Sequence, residues 1–230
     1  MCDDVMAALK RCGVFAAARS KTRARLCECA TQRTLRRRGV LVEQNVHWPN
    51  LGLLVEGHLV GISTTGNGRE HALFDVAVNQ TFGEPSIDGK PTVAKFLCAG
   101  PIARVILFPG DVVKACMKDD GNFAEAFAIL CLDRVRGLAE RLDDRISKPT
   151  ITRLASILLS YATPDGNPGR AHESLRFMTQ SQLAAAAGTV KEVAARDIAR
   201  LREVGAIACD SGRIVGIDPE KLRSLCDVAS

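Results

Sequence analysis

The segment that decides the fold runs from Met178 to Ile207 and reads MTQSQLAAAAGTVKEVAARDIARLREVGAI. Successive residues of an α-helix lie about 100° apart around its axis, so the second half of this segment divides into two faces. The inward face collects apolar residues: Val190, Val193, Ala194, Leu201 and Val204. The outward face collects small and charged residues: Lys191, Glu192, Ala195, Arg196 and Ala199. Such a face is suited to a helix that lies in a groove while its long side chains reach the floor.

This helix is part of a helix-turn-helix pattern. Thr179 is a suitable N-cap for the preceding helix TQSQLAAAAG, and Gly188 can supply the tight turn between the two helices. The segment GAIACDSGRIVGI, which follows the second helix, is flanked by glycines and predicts a β-hairpin. Helix, turn, helix and hairpin in this order form a winged helix-turn-helix, whose second helix enters the major groove of DNA.

The charged residues of the outward face match the chemistry of base recognition. Arginine donates two hydrogen bonds to guanine O6 and N7, and glutamate accepts one from cytosine N4. We therefore expect Glu192 and Arg196 to read G·C pairs, and Lys191 to contact a guanine or a phosphate. The alternative is an i,i+4 surface ion pair worth roughly 0.2–0.5 kcal/mol, which the helix-turn-helix context disfavours. Thr179 and Ser181, at the start of the first helix, are expected to hold phosphates.

A second long segment, NFAEAFAILCLDRVRGLAERLDDRI at residues 122–146, predicts one continuous helix. Alternating steps of four and three residues give it a heptad stripe: Ala124, Ala128, Cys131, Val135, Leu138 and Leu142. A second apolar stripe runs beside it: Phe123, Phe127 and Leu130. With two stripes, the helix can pack on its own domain and also on a second copy of the chain, so we expect a homodimer. A helix buried wholly within its own domain is the alternative.

The first 120 residues have a different texture, mostly short apolar runs separated by turn residues. The runs include LGLLVEGHLVGI, HALFDVAV, TVAKFLCAG and ARVILF, and the interruptions include TTGNGRE, EPSIDGKP and FPGD. Many short strands at near-regular spacing predict a small barrel or sandwich. One or two helices are expected before it, in VMAALKRCGVFAAARSKTRARLCECATQR.

Four looser stretches join the helix-turn-helix segment in matching a known family: VEGHLVGI, GREHALFDV, FGEPSIDGKPTVA and SYA. On these residues the chain resembles the Crp/Fnr superfamily of transcription regulators. The resemblance implies an α+β fold, with an N-terminal jelly-roll-like β-roll, a long dimerisation helix and a C-terminal winged helix-turn-helix. It implies a cyclic-nucleotide-binding-like sensor domain at 1–120, the dimerisation helix at 121–147 and the DNA-binding domain at 148–230. The family's base-reading residues fall on Lys191, Glu192 and Arg196.

Two departures from the family's pattern bear on function. Gly83 and Glu84 of the phosphate cassette are present, but Thr92 occupies the position of the arginine that pairs with a cyclic phosphate. Burying a phosphate without a charged partner is costly, so cyclic-nucleotide binding is disfavoured. Gly83, Glu84 and Thr92 remain candidates for the pocket of another small-molecule effector. Asp197 also stands where the family has an aliphatic core residue.

Asp197 is expected to face inward. Either it pairs with a neighbouring arginine, for which Arg153, Arg200 and Arg202 are candidates, or the helix is slightly rotated. The sequence leaves both possibilities open.

No cofactor is expected. Some relatives hold an iron–sulfur cluster on N-terminal cysteines, and this chain has Cys2, Cys12, Cys27 and Cys29 in its first part. Cys27 and Cys29, however, would point about 200° apart on a helix. His71 and Cys98 show no spacing for a haem. Cys131, on the heptad stripe, offers an alternative function as a redox-sensitive contact between subunits, although free cysteine often behaves as a small buried hydrophobe.

Composition and charge narrow the functional classes. The 230 residues carry a formal net charge of +5, with hydrophobic residues at 47% and charged residues at 25%. Residues 19–38 hold eight bases against Glu28 alone, which reads either as a solvated helix face or as a footprint for nucleic acid. No catalytic constellation, export signal or membrane span is evident, so we expect a cytoplasmic regulator that is not an enzyme. Its expected partners are double-stranded DNA, its own second copy, a small-molecule effector and, if it activates, RNA polymerase.

Overall fold

The structure is a computed structural model and describes residues 2–66, 70–162, 175 and 178–227. The helices are α1 Cys2–Arg11, α2 Gly13–Ala16, α3 Ser20–Cys29, α4 Gly110–Asp119, α5 Gly121–Ser147, α6 Thr150–Ser160, α7 Gln180–Ala186, α8 Lys191–Glu203 and α9 Pro219–Asp227. The strands are β1 Thr31–Arg36, β2 Val40–Val42, β3 Asn50–Thr64, β4 Glu70–Val76, β5 Thr81–Phe82, β6 Lys95–Pro109, β7 Ile207–Asp210 and β8 Arg213–Ile217. Contacts divide the chain into one unit of Met1–Thr64 and Leu73–Gly137 and another of Thr65–Ala72 and Leu138–Ser230.

The first unit is built on one sheet of order β1-β6-β3-β4, with β2 paired to β6 and β5 to β3. The long strands β3 and β6 run antiparallel, and their register shifts between Leu54 and Glu56 and again between Gly57 and Leu59. Gly57 has φ +83°, and a Cβ at this position would lie 1.9 Å from the carbonyl oxygen of Ile102. Only glycine fits such a close approach of two backbones, so the glycine of VEGHLVGI is required by the bend in this ribbon.

Aromatic side chains fill the core between this sheet and the helices. The ring of Phe15 lies 5.1 Å from that of Phe108 and 5.8 Å from that of Phe123, measured between centroids. These rings come from α2, β6 and α5 respectively, and all three residues are fully buried. The aromatic cluster therefore fixes the start of α5 against the sheet.

Asp120 holds the junction between α3 and α5. Its side chain is 1% exposed and accepts hydrogen bonds from the Thr22 hydroxyl at 2.6 Å and from the Arg19 and Phe123 backbone N–H groups at 2.7 and 3.3 Å. The bond from Phe123 caps the N-terminus of α5. Burial by itself raises the pKa of Asp120, but these hydrogen bonds outweigh it, so the pKa of the folded carboxyl lies below its ordinary value.

The second unit packs α6, α7, α8 and α9 with the two-stranded β7-β8 sheet. Its core consists of fully or almost fully buried aliphatic side chains: Leu154, Leu158, Leu183, Ala194, Ile198, Leu201, Ile217 and Leu222. The helices and the hairpin that the sequence predicted in this part of the chain are present. In the described part of the chain, no helix is both long and apolar enough to cross a membrane.

Three details of the first unit differ from the sequence-based expectations. Arg33 and Arg36 of the basic run lie on strand β1 instead of a helix face. The runs TVAKFLCAG and ARVILF join in the single strand β6, which continues through Gly100 and Pro101. Helix α4 begins at Gly110, within FPGD, where only a turn was expected. In the second unit, α9 was not foreseen. The domain boundaries at residues 120 and 148 stay predictions.

Asp120→Ala is expected to destabilise the first unit by about 2–4 kcal/mol, because it removes a helix cap and leaves buried donors unpaired. Urea unfolding followed by the fluorescence of Trp48, the single tryptophan, measures this loss. Asp119→Ala is the matched control, since its carboxylate is exposed and pairs only with the exposed Arg25 at 3.2 Å. Equal destabilisation by the two substitutions would contradict the role given to Asp120.

The same carboxyl gives the stability a pH dependence. Because its folded pKa is lowered, its contribution is fully present above the unfolded pKa of about 3.9 and is lost as the pH falls through the folded pKa. The stability difference between the wild type and Asp120→Ala should therefore shrink in acid.

Candidate nucleic-acid interface

Helix α7 begins at a complete capping box. The Thr179 hydroxyl accepts a hydrogen bond from the Gln182 backbone N–H at 3.2 Å, and the Gln182 side-chain oxygen accepts one from the Thr179 backbone N–H at 2.8 Å. The hydroxyl also donates to Gln182 Oε1 at 3.1 Å. The cap expected at Thr179 is therefore present, and it fixes the start of the helix. Ser181 lies exposed in the first turn that follows.

The turn between α7 and α8 depends on Gly188 and on small buried residues. Gly188 has φ +64°, in the left-handed region that glycine adopts without strain. The Thr189 backbone N–H donates to the Ala184 carbonyl at 2.9 Å, which ends α7. Ala184 on α7 and Ala194 on α8 are both buried, at 3% and 0% exposure. Because neither has a bulky side chain, the two helices can pack closely and in one orientation.

Helix α8 presents the charged face that the sequence predicted. Lys191, Glu192 and Arg196 are exposed, whereas Ala194, Ile198 and Leu201 are buried. Two residues assigned to the inward face are exposed instead: Val190 at 44% and Val204 at 56%. The reason is that these two residues cap the ends of the helix, with Val190 in an extended conformation, so a helical wheel does not describe them.

Asp197 is buried at 3% exposure, as its inward position predicted. Its Oδ1 lies 3.6 Å from Nη1 of Arg200, one of the three expected partners, and 3.8 Å from Nε of Arg196. Both arginine side chains remain about 60% exposed. The carboxylate therefore holds two guanidinium groups over the outward face of α8 without removing them from solvent.

The hairpin after α8 turns through Ser211 and Gly212, with φ values of +49° and +76°. Positive φ at both loop residues is the requirement of the two-residue turn that matches the twist of antiparallel strands. Arg213 begins β8 and is exposed. Sequence reasoning named Arg200 only as a partner for Asp197 and did not single out Arg213, although both are cations within the winged helix-turn-helix pattern.

The proposed effector residues do not all meet. Gly83 and Glu84 line a cavity of about 20 Å³ in the first unit, together with Phe82, Phe96 and Arg134 among others. This enclosed volume holds roughly one water molecule.

Two charged residues close this cavity. Glu84 accepts a hydrogen bond from the Thr81 hydroxyl at 2.7 Å, and Nη2 of Arg134 lies 3.5 Å from its Oε1. Arg134 also donates to the Thr81 carbonyl at 2.7 Å. Since Arg134 belongs to α5, the long helix forms one wall of the cavity.

Thr92 does not line the cavity, which corrects its placement with Gly83 and Glu84. It is buried at 1% exposure, and its hydroxyl donates to the Glu43 carbonyl at 2.7 Å and accepts from the Val46 backbone N–H at 3.2 Å. The hydroxyl therefore stabilises the chain at residues 43–46, and its position offers no charge to a phosphate.

Of the cysteines considered for cofactors, Cys2 and Cys27 are in contact, whereas Cys29 and Cys98 have other partners. The Cys27 thiol contacts the Cys2 thiol, whereas the Cys29 thiol donates a hydrogen bond to the Leu26 carbonyl oxygen at 3.3 Å. The thiols of Cys27 and Cys29 therefore point away from each other. Cys98 is fully buried and bonds the Gly100 carbonyl. Over residues 2–66, 70–162, 175 and 178–227, no group of three or more His, Cys, Asp or Glu side chains could hold a metal ion. The side chain of His71 lies outside the described part.

Helix α5 has one buried and one exposed apolar side, but their members differ in part from the two predicted stripes. Cys131 of the heptad stripe packs partly against the buried cluster, and Leu132 and Ile146, which were not assigned to that stripe, are exposed. Phe123 and Phe127 are buried, and Leu130 packs partly against the same cluster. Along the other side, large apolar side chains are exposed: Leu132 at 54%, Val135 at 62%, Leu138 at 45%, Leu142 at 61% and Ile146 at 79%. We call these five residues the α5 stripe. A helix buried wholly within its own domain is therefore excluded for the single chain, whose α5 stripe lies open to solvent.

Comparison with known proteins identifies the C-terminal domain and the fold. Residues 152–225 match the family model of the Crp-like helix-turn-helix domain. Among solved structures, the chain is similar to a Crp/Fnr-family protein from Eubacterium rectale, with 18% identity, a TM-score of 0.76, and coverage of 95% of this chain and 99% of that one. It is also similar to FixK2 from Bradyrhizobium japonicum, with 15% identity, a TM-score of 0.72, and coverage of 85% and 96%. No curated protein matches the sequence.

A Crp/Fnr-family regulator from Thermus thermophilus is similar as well, with 20% identity, a TM-score of 0.68, and coverage of 87% of this chain and 100% of that one. At such identities these likenesses establish the fold, and the family model identifies the DNA-binding domain. Residues 152–225 are therefore identified as a Crp-like helix-turn-helix domain. The expected α+β fold, with an N-terminal β-sheet domain and a C-terminal winged helix-turn-helix, is confirmed.

Thr179→Ala is expected to cost about 1 kcal/mol of stability in the second unit, because it removes the hydroxyl of the capping box. Thermal unfolding followed by far-ultraviolet circular dichroism measures the loss. Thr179→Ser should keep most of the stability that Thr179→Ala loses, since serine is as good an N-cap as threonine. Ser181→Ala is the matched control in the same helical turn and should leave the stability unchanged. A loss of stability as large as that of Thr179→Ala would contradict the assignment of the cap.

Proposed function

We propose that the protein binds a palindromic operator as a homodimer, with α8 of each copy in a major groove. The observation that carries this proposal is the outward face of α8. It exposes Lys191, Glu192 and Arg196 beside the small residues Ala195 and Ala199, next to a capped and closely packed α7. A rigid helix whose charged side chains stand among small ones can approach the base edges without steric obstruction.

Each polar group of the interface has a distinct role. Arg196 donates to guanine O6 and N7, Glu192 accepts from cytosine N4, and Lys191 contacts a guanine or a phosphate. Thr179 and Ser181 hold a phosphate; because the Thr179 hydroxyl serves the capping box, its share of this contact is small. Phosphate contacts of this kind set the register of the protein but do not read sequence.

Asp197 prepares Arg196 for this role. Its buried carboxylate lies 3.8 Å from the Arg196 guanidinium, a distance at which attraction persists but a direct hydrogen bond is not made. Arg196 can therefore turn toward a guanine at little cost, while Asp197 keeps its partner Arg200.

The α5 stripe supports the proposal that the protein is a homodimer. Five large apolar side chains in heptad-like spacing along one helix are costly to leave in water, and an identical helix would cover them. A two-fold axis along paired α5 helices would place the two α8 helices on half-sites about 34 Å apart, one turn of DNA. This symmetry is the reason to expect a palindrome.

The effector is proposed to act through α5. A small molecule that binds beside Gly83 and Glu84 would lie next to Arg134, which is on the helix that carries the α5 stripe. Occupation of the cavity would therefore shift the population of helix arrangements in the dimer. Arg134, the cation that lines the cavity, lies 3.5 Å from the Glu84 carboxylate, which argues against a cyclic nucleotide. A regulator of this kind would work in the cytoplasm, and on RNA polymerase if it activates.

The alternative, in which Cys131 senses redox state at the dimer helix, has weaker support. Cys131 packs partly against the core, and burial raises the pKa of its thiol, as does the nearby Glu84, although Arg134 opposes the rise. A thiol that stays protonated at neutral pH reacts slowly with oxidants.

Arg196→Ala is expected to weaken binding to the preferred operator by about 1–3 kcal/mol and to relax specificity at one base pair. Fluorescence anisotropy on operator variants, titrated at several salt concentrations, measures both effects. Arg223→Ala, which removes an exposed arginine from α9, is the control for loss of charge and should leave specificity intact. An equal loss on cognate and random DNA would refute base reading by Arg196.

Leu142→Glu is expected to convert the dimer into a monomer, since it places a charge in the middle of the α5 stripe. Analytical ultracentrifugation measures the change, and circular dichroism should be unaltered because Leu142 is 61% exposed within one chain. Arg136→Glu adds a carboxylate to another exposed side of the same helix and should leave the dimer intact. A Leu142→Glu protein that remains dimeric would place the dimer contact elsewhere.

A further inference from the structure

Two cysteines of the first unit meet in a way that the DNA-binding function does not use. Cys2 Sγ, at the start of α1, lies 2.9 Å from Cys27 Sγ on α3. This separation exceeds the length of a disulfide bond, about 2.05 Å, by only about 0.9 Å. All nine cysteines are free thiols, and within the described part of the chain this is the one pair whose sulfurs are in contact.

We propose that Cys2 and Cys27 form a reversible disulfide when the protein meets a low-molecular-weight disulfide such as oxidised glutathione. The Cys2 thiolate attacks one sulfur of glutathione disulfide, which gives a mixed disulfide and releases one glutathione. Cys27 then loses its proton to solvent and attacks Cys2 Sγ, and the second glutathione leaves. Two protein thiols lose two electrons and two protons, and one glutathione disulfide becomes two glutathione molecules.

The order of these steps follows from exposure. Cys2 is exposed, whereas Cys27 is 8% exposed and its thiol donates to the Cys2 carbonyl at 3.1 Å. Burial, together with the adjacent Cys2 sulfur, raises the pKa of Cys27 to about 11. A solution oxidant therefore reaches Cys2 first, and Cys27 completes the bond from within the protein. Closure of the mixed disulfide should accelerate as the pH rises, because Cys27 attacks as its thiolate.

The bond would join two helices that support the start of α5. Helices α1 and α3 contact each other, and Val5, Leu9 and Leu26 belong to the same buried cluster as Phe123 of α5. Thr22 of α3 also donates to Asp120, the cap of α5. The disulfide would therefore link two of the helices that pack against the start of α5.

Other thiols of this region are poorly placed for the same chemistry. Cys12 and Cys116 are buried at 4% and 2% exposure. Cys29, two residues from Cys27, directs its sulfur to the Leu26 carbonyl. Cys29→Ser is therefore a matched control, because it removes a thiol from the same helix without touching the pair.

The test equilibrates the full-length protein with mixtures of reduced and oxidised glutathione, followed by acid quenching, alkylation and peptide mass mapping. We expect a peptide containing Cys2 linked to one containing Cys27, with fragmentation assigning the sulfur to Cys27 and not to Cys29. Dithiothreitol should reduce this disulfide and separate the two peptides. Cys29→Ser should form it as the wild type does, whereas Cys27→Ser should stop at a mixed disulfide of Cys2 with glutathione.

The melting temperature is a second readout, and it shows whether a variant that forms no disulfide is still folded. The disulfide closes the loop of chain between Cys2 and Cys27. It should raise the melting temperature of the oxidised wild type by at least about 4 °C over the reduced protein, and Cys2→Ser should abolish this rise. The proposal is overturned if no Cys2–Cys27 link forms at any glutathione ratio. It is equally overturned if the link goes to Cys29, or if Cys2→Ser shows the same rise in melting temperature on oxidation.

Discussion

The close packing of α7 against α8 is the constraint on which the DNA-binding function depends. Gly188 in the left-handed region reverses the chain within a few residues, and the buried Ala184 and Ala194 let the two helices approach. The burial of Ala194, Ile198 and Leu201 sets the rotation of α8 about its axis. That rotation decides that Glu192 and Arg196 face outward. Function here is a consequence of where small residues allow helices to touch.

In the sensor unit the corresponding constraint acts on α5. Phe123 and Asp120 fix its first turn by packing and by capping, and Arg134, further along the helix, closes the cavity through Glu84. The same helix exposes the α5 stripe to a second copy of the chain. A change in the cavity and a change in the dimer would thus share one structural element, which is the simplest physical basis for regulation.

The sequence predicted most of the winged helix-turn-helix because periodicity, caps and turn residues all agree there. The assignment of Val190 and Val204 to the inward face of α8 was wrong, because both residues lie at the ends of the helix, where a helical wheel does not apply. Strand β1 was missed because it is an edge strand with nearly every residue exposed, so it shows no alternation. The contacts of Thr92 with residues 43–46 could not be foreseen, since they join segments far apart in the chain.

The most direct test of the account is selection of DNA from a random library by the purified protein, followed by anisotropy measurements on the enriched sequence. The account predicts a palindrome with G·C pairs in each half-site and half-site centres about 10–10.5 base pairs apart. It also predicts affinity that falls steeply with salt. Enrichment of a single, non-repeated site, or of no sequence at all with or without candidate effectors, would contradict the central claim.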